Sequence, residues 1–353
     1  MVFPCLCLAL ACACQSPTQD NTDQRPQVTV LLSWNGLGDM GLNDMVYESL
    51  RAMQVSSSDS YCPDIALVLA TPTDSAQLES MCEEWFSDCS DSRKRLLILV
   101  ETAYAGILEQ HPAWRNQGNS KVAIFNQTTD DPGICSITYS NYGVYYELGL
   151  LLSAWNQAAP GWGLMERFQP GKAAIVCANR EDESLQTASQ AVLDAVAAAD
   201  GPQTDVFYLS ERTGTGYGMA DSVFNLSYRL DKQDYGFVVP LCGGSQMGML
   251  RYTRENVYKG TFNICCADSD LSQYSNAVVC STCLNTGQEI VQFIQDWNDD
   301  ALADIHYRQD SGDGDISLAI PEAYRNYFSQ TLGLDLDQLH RQALEAEQQF
   351  LNR

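Results

Sequence analysis

The chain has 353 residues, a length that suits two domains of ordinary size, and about 45% of it is apolar, enough for sizeable cores. Lys and Arg number 20 against 45 Asp and Glu, a formal net charge of -25. That balance leaves no sequence-independent grip on phosphate backbones, so nucleic acid is set aside as a partner. With 18% charged and 10% aromatic residues the chain is also too apolar for a disordered acidic tail.

Residues 1–14, MVFPCLCLALACAC, form an apolar run ended by the polar stretch QSPTQDNTDQRPQ. The run is too short to span a ~30 Å hydrocarbon core as a helix, and it fits the apolar part of an export signal. It resembles a bacterial lipoprotein signal, in which small residues precede the Cys that takes the lipid. Ala11-Cys12 and Ala13-Cys14 both offer that junction, although residues 1–4 carry no Lys or Arg. Residues 15–26 then form a tether at the outer surface of a membrane, on the periplasmic or extracellular side. No later stretch reaches 18 apolar residues.

From there short apolar runs alternate with stretches of helical period. Strands are expected at Val28 to Leu32, Ile65 to Ala70, Leu96 to Val100, Lys121 to Phe125, Ala173 to Cys177, Asp205 to Leu209, Gly236 to Pro240 and Ala277 to Ser281. Helices are expected at Asp44 to Met53, Ser75 to Phe86, Tyr142 to Trp155, Ser184 to Ala199, Met219 to Arg229, Gln246 to Asn256 and Gln288 to Trp297. Strands that are apolar throughout, each followed by a helix, indicate parallel sheets covered on both faces, hence an α/β fold. About eight such units exceed one open sheet, and the Pro/Gly-rich segment 157–172 separates two series. The expected architecture is two doubly wound lobes joined by a hinge. Lobe 1 spans 27–140 with a return segment at about 268–310, and lobe 2 spans 141–267 with a C-terminal segment at 311–353.

In such folds ligands sit beyond the carboxyl ends of the strands. After the first strand, Gly36-Leu-Gly-Asp-Met-Gly41 satisfies the spacing of a dinucleotide-binding loop, but Asp39 would repel a phosphate and no acidic residue ends the next strand. A nicotinamide-dependent oxidoreductase therefore stays the enzyme alternative to a binding protein. No P-loop Lys, no G-x-S-x-G and only three His are present. Asp310, Asp313 and Asp315 lack the Glu that would complete a calcium loop. Cys280-Ser-Thr-Cys283 has no second pair to complete a zinc site. The ten Cys after residue 14 read as scattered buried thiols, with a pairing of Cys265 or Cys266 to Cys280 or Cys283 left open. No cofactor and no catalytic residue is assigned; two lobes with glycine-rich loops at 214–218 and 243–248 suit capture and release of a small molecule.

The order of these motifs resembles the basic membrane protein family of bacterial solute-binding lipoproteins, whose better-known members bind purine nucleosides and share the type I periplasmic binding protein fold. The islands are GLGDMGLNDMVYESL (36–50), TYSNYGVYYELGLLLSA (138–154), VVPLCGGSQMGMLR (238–251) and CCADSDLSQYSNAVVCST (265–282). The resemblance implies ligand contacts from Asp39, Asn43, Asn126, Gly243, Gly244 and Gly248, and a ribose-binding role for Asp268. Leu42 stands where the family has a stacking Phe, and Leu284 where it has a Lys. Carboxylates accept two hydroxyl hydrogen bonds, an Asn amide reads a base edge, and Trp34 and Tyr217 offer rings for stacking. The expected function is a lipid-anchored solute-binding protein that carries a nucleoside-like ligand to a permease. The alternative is a sensor of the same fold that binds a sugar or another small molecule.

Overall fold

A computed structural model describes residues 25–33, 35–55, 65–88, 93–125, 129–158, 171–212, 214–302, 306–309 and 316–353. The first series of elements runs β1 (Gln27–Leu31), α1 (Leu42–Val55), β2 (Ala66–Ala70), α2 (Ser75–Ser87), β3 (Arg95–Leu99), α3 (Ala105–Gln110), β4 (Ser120–Phe125) and β5 (Cys135–Tyr139). The second runs α4 (Tyr142–Gln157), β6 (Lys172–Asn179), α5 (Glu183–Ala198), β7 (Gln203–Ser210), α6 (Ala220–Lys232), β8 (Phe237–Leu241), α7 (Gln246–Glu255), β9 (Asn263–Cys266) and β10 (Val278–Leu284). The chain then returns through α8 (Thr286–Asn298) and β11 (His306–Gln309), and ends with β12 (Ile316–Ala319), α9 (Glu322–Asn326) and α10 (Leu336–Leu351).

Two six-stranded sheets result, in the orders β11-β5-β4-β3-β1-β2 and β12-β10-β9-β8-β6-β7. All pairings are parallel except that of β12 with β10. Continuous apolar strands explain the cover on both faces. In the first lobe, Val28, Val30, Leu96 and Ile98 pack on one side with Val46 and Leu50 of α1 and Ile290, Phe293 and Trp297 of α8. Leu97, Leu99, Val122 and Ile124 pack on the other with Leu78 and Trp85 of α2 and Ile107 and Leu108 of α3. In the second lobe, α4, α5 and the C-terminal helices cover one face, and α6 and α7 the other. Burying some thirty apolar side chains in the first lobe and some forty in the second supplies the bulk of the stabilisation, at ~1.5–3 kcal/mol for each large one.

Both lobes carry the strand order 2-1-3-4-5 within their first five strands, which puts a topological switch point beside β1 and β3 and another beside β6 and β8. The chain passes between the lobes after β5, after β10 and after β11. β10 pairs with β9 in the second sheet, so the return to the first lobe starts at Thr286 and not near residue 268. The four strands β5, β9, β11 and β12 have only four or five residues each and carried too little pattern to be expected. Cys265 and Cys280 lie opposite one another on β9 and β10, and the described cysteines are all free thiols. Among the described residues no helix is long and apolar enough to cross a membrane.

Candidate functional site

The loops at the carboxyl ends of both sheets face one another across a cleft that holds a cavity of about 130 Å³. From the first lobe come Ser33, Asn35 and Asp39 after β1, Glu101 and Thr102 after β3, and Tyr139 at the end of β5. The second lobe supplies Asp182 and Ser184 after β6, Tyr217 after β7, Gly243 and Gly244 after β8, Asp268 after β9 and Leu284 at the end of β10. The lobes touch. Asp39 lies where a side chain on Gly244 would be, 3.3 Å from the place of its Cβ, and Ser269 Oγ donates to the Met40 carbonyl at 3.2 Å.

The loop 33–41 satisfies itself. Asp39 accepts from the backbone N–H groups of Gly41, Asn43 and Asp44 at 3.0–3.2 Å, capping α1. Asp44 accepts from Gly38 and Met40. The amides that would cradle a pyrophosphate are thus already held by two carboxylates, and the Gly36-x-Gly-x-x-Gly41 spacing makes a capped turn instead of a dinucleotide site. Asn43 is fully buried: its Oδ1 accepts from Ser33 N–H at 2.9 Å, and its Nδ2 donates to the carbonyls of Ser33 and Gly36. Its amide closes the turn and does not line the cleft, which corrects the expectation of a base-reading Asn43.

Four carboxylates line the cleft. Glu101 is only 8% exposed and bonds to Ser33 and to the N–H of Ala103. Its pKa is pushed up, chiefly by burial and then by the charges of Asp182 and Asp39. Asp182, 5% exposed, caps α5 through Ser184 and Leu185 with one oxygen and accepts from the Tyr217 hydroxyl with the other, at 2.8 Å. Burial also raises Asp39, against its three backbone bonds. Asp268 has no hydrogen-bond donor on its carboxylate among the described residues, and its Oδ2 lies against Gly41 of the opposite lobe. Burial, then the charge of Asp39, moves its pKa from the usual carboxylate range to about 6.

The backbone around Asp268 is fixed. Gln246 clamps Ala267 from both sides, accepting from its N–H at 3.1 Å and donating to its carbonyl at 3.2 Å, and Leu284 N–H donates to the Asp268 carbonyl. The ring of Tyr217 packs over Gly243, 3.0 Å from where a Cβ would stand, so any larger residue there would displace the ring. Tyr145 of α4 also faces the cavity and holds Thr282 through its hydroxyl at 2.9 Å. Phe125 and Leu241 supply apolar wall.

The structure therefore brings together Asp39, Tyr217, Gly243, Gly244 and Asp268. Gly248 does not join them: it lies against the backbone of α6 at Ala220 and Phe224. Trp34, Asn126, Cys12 and Cys14 lie outside the described residues. Glu101 and Asp182 were not singled out by sequence, although each stands within a few residues of a strand's carboxyl end. Among the described lining residues there is no Lys, Arg or His, and the Cys242 thiol is held neutral by burial. The cleft offers hydroxyl acceptors and ring faces.

No family model matches the chain, and a search of curated proteins finds no match. Solved structures do match. An ABC transporter solute-binding protein from Aeropyrum pernix K1 superposes with a TM-score of 0.68 at 14% identity, over 92% of this chain and 86% of that one. A carbohydrate transporter solute-binding protein from Agrobacterium radiobacter, in complex with D-arabinose, gives 0.57 at 12% identity, over 88% and 99%. A 5-methylthioribose transporter solute-binding protein from Thermotoga lettingae TMO, with 5-methylthioribose bound, gives 0.57 at 13%, over 90% and 98%. The chain has the two-lobed fold of the periplasmic solute-binding proteins.

Proposed function

We propose that this chain is a solute-binding protein that closes two lobes over a small hydroxylated ligand and hands it to a membrane permease. The observation that carries this reading is the cleft itself, walled by both lobes at their switch points and lined with carboxylates, hydroxyls and aromatic rings. Vicinal hydroxyls need paired acceptors, and four carboxylates supply them from both sides. Structural neighbours that hold D-arabinose and 5-methylthioribose support a pentose-like ligand.

A nucleoside is the second reading, favoured by the aromatic wall of Phe125, Tyr139, Tyr145 and Tyr217, which suits a planar base. It agrees with the motif order that resembles the basic membrane protein family. Against it stands Asn43, whose amide is spent inside its own turn.

Thermal shift with pentoses, hexoses, inositols, nucleosides and NAD tests the assignment. A true ligand at 100 times its Kd adds about 2.7 kcal/mol, a rise of several degrees. Nucleosides that raise the midpoint while their parent sugars do not would select the second reading. Turnover of NAD with any of them would remove the binding-protein reading.

The same proposal includes the lipid anchor at Cys12 or Cys14, supported by the apolar leader and the Ala-Cys junctions. Replacing both Cys by Ser is expected to move the protein from the membrane to the soluble fraction on cell fractionation, since acyl chains would supply the attachment. Retention in the membrane would end that part of the proposal.

A further inference from the structure

The charge of the cleft is lopsided beyond what hydroxyl binding requires. Asp39, Glu101, Asp182 and Asp268 line it, and no basic side chain among the described residues does. Helix N-termini account for part of this. Asp39 caps α1, Asp182 caps α5, and Glu101 receives the N–H of Ala103 in the short turn before α3. Asp268 has no such explanation. It lies after a strand, no donor reaches its carboxylate among the described residues, and the lobe contact presses it against Gly41, two residues from Asp39. With the lobes in contact, one carboxylate from each lobe thus confronts the other with no basic side chain between them among the described residues. Leu284, on the wall beside Asp268, is apolar where a cation would have relieved it.

Water screens such a pair when the lobes part, and closure removes the water, so closure is opposed unless something positive enters with the ligand. A metal ion is a poor candidate, because no group of three or more His, Cys, Asp or Glu able to hold one occurs among the described residues. An ammonium needs fewer ligands and also favours ring faces, which Tyr145 and Tyr217 provide in the same cleft.

We propose that the ligand is a small hydroxylated amine, cationic at neutral pH, whose ammonium group sits between Asp39 and Asp268. This rests on the solute-binding reading and narrows its substrate class from neutral sugars to amino sugars and related amines.

Matched probes separate charge from shape: D-glucosamine against D-glucose, D-galactosamine against D-galactose, and putrescine against 1,4-butanediol, with calcium chloride as a further arm. Binding is measured by calorimetry and thermal shift at pH 7.5 and low salt. In at least one pair the amine is expected to bind about tenfold or more tightly than its neutral twin, the size of a charge-assisted bond. Asp268→Asn should abolish that preference and raise the unliganded melting midpoint. Leu284→Lys, which brings a cation to the same wall, should abolish it independently.

Neutral sugars that bind as well as or better than their amines would overturn the amine assignment and leave the solute-binding reading intact. Stabilisation by calcium alone, matching that of the amines, would overturn it in favour of a metal. If no member of any pair binds, the amine assignment falls, and the solute-binding reading falls with it only if the pentoses, inositols and nucleosides also fail to bind.

Discussion

Asp268 adopts a left-handed backbone with φ 73°, a conformation that Asp and Asn reach more easily than other side-chain-bearing residues. An Ala at this position would combine loss of the carboxylate with backbone strain of roughly 1–2 kcal/mol, so Asn is the clean replacement. Its surroundings set the sign of a pH effect. The titratable groups that face it are Asp39, the hydroxyls of Tyr145 and Tyr217, and the thiols of Cys242, Cys266 and Cys283. All of them, Asp39 included, are driven towards their neutral forms by burial. With a pKa of about 6 folded and about 4 unfolded, Asp268 binds its proton more tightly in the folded state. Its contribution to stability is therefore full below pH ~4, falls as pH rises to ~6 and stays low above, by about 3 kcal/mol in total. Urea midpoints across pH 4–8 should show that slope for the natural chain and a flatter one for Asp268→Asn. Equal slopes would mean that the carboxylate is solvated and does not face Asp39. Asp39 and Asp268 were named through the resemblance in motif order and Tyr217 as a ring for stacking, and all three line the cleft because residues just past apolar strands sit at the ligand end of parallel sheets. Glu101 and Asp182 obey the same rule but no motif marked them, and Asp182 stands inside the acidic run Glu181-Asp-Glu183. Asn43 was misread because a side chain that closes its own turn looks, in sequence, like one that is free to bind.

Among the elements, the glycines of the helical islands have packing roles. A Cβ on Gly149 of α4 would stand 2.6 Å from Ala195 Cβ and 2.7 Å from the Val192 carbonyl oxygen of α5. The two helices approach backbone to backbone there, and neither obstacle is the end of a flexible side chain. Gly149→Ala gains about 1 kcal/mol of helix propensity and loses ~1–3 kcal/mol to overpacking. A net loss of up to about 2 kcal/mol is expected in urea unfolding, with ligand affinity unchanged within about twofold. A drop in affinity without a drop in stability would instead assign Gly149 to the site. Seven helices were readable to within two or three residues from their apolar stripes, whereas α10, at 16 residues as long as any, was not among those expected. Strand β9, with the four residues Asn263–Cys266, and strand β12, with Ile316–Ala319, were not readable. At that length the tertiary contacts on either side decide the conformation, and no periodicity has room to develop.

Three passages of chain join the lobes, so a hinge there would let them move with little change inside either core. Two lobes were legible from the count of strand-helix units, whereas the point of return was not, since β10 and α8 follow one another without a break in composition. The closed form depends on Gly244. It is in ordinary backbone conformation, and its Cβ would meet Asp39 Cα and Cβ of the first lobe and the Tyr217 carbonyl oxygen of its own lobe, all at 3.3 Å. Gly244→Val should act as a wedge at the mouth of the cleft. If the bound state is the closed state, the wedge must be overcome at each binding event, at roughly 1–3 kcal/mol, or about 5- to 150-fold in affinity. Small-angle scattering should then show the natural chain contracting when saturated with its ligand and the variant contracting less. The unliganded melting midpoint should fall by no more than a few degrees, because the residue lies at the cleft and not in a core. A variant that binds as tightly and contracts as fully as the natural chain would mean that the lobes bind their ligand in some other arrangement, and the Asp39 to Gly244 contact would then have no part in capture.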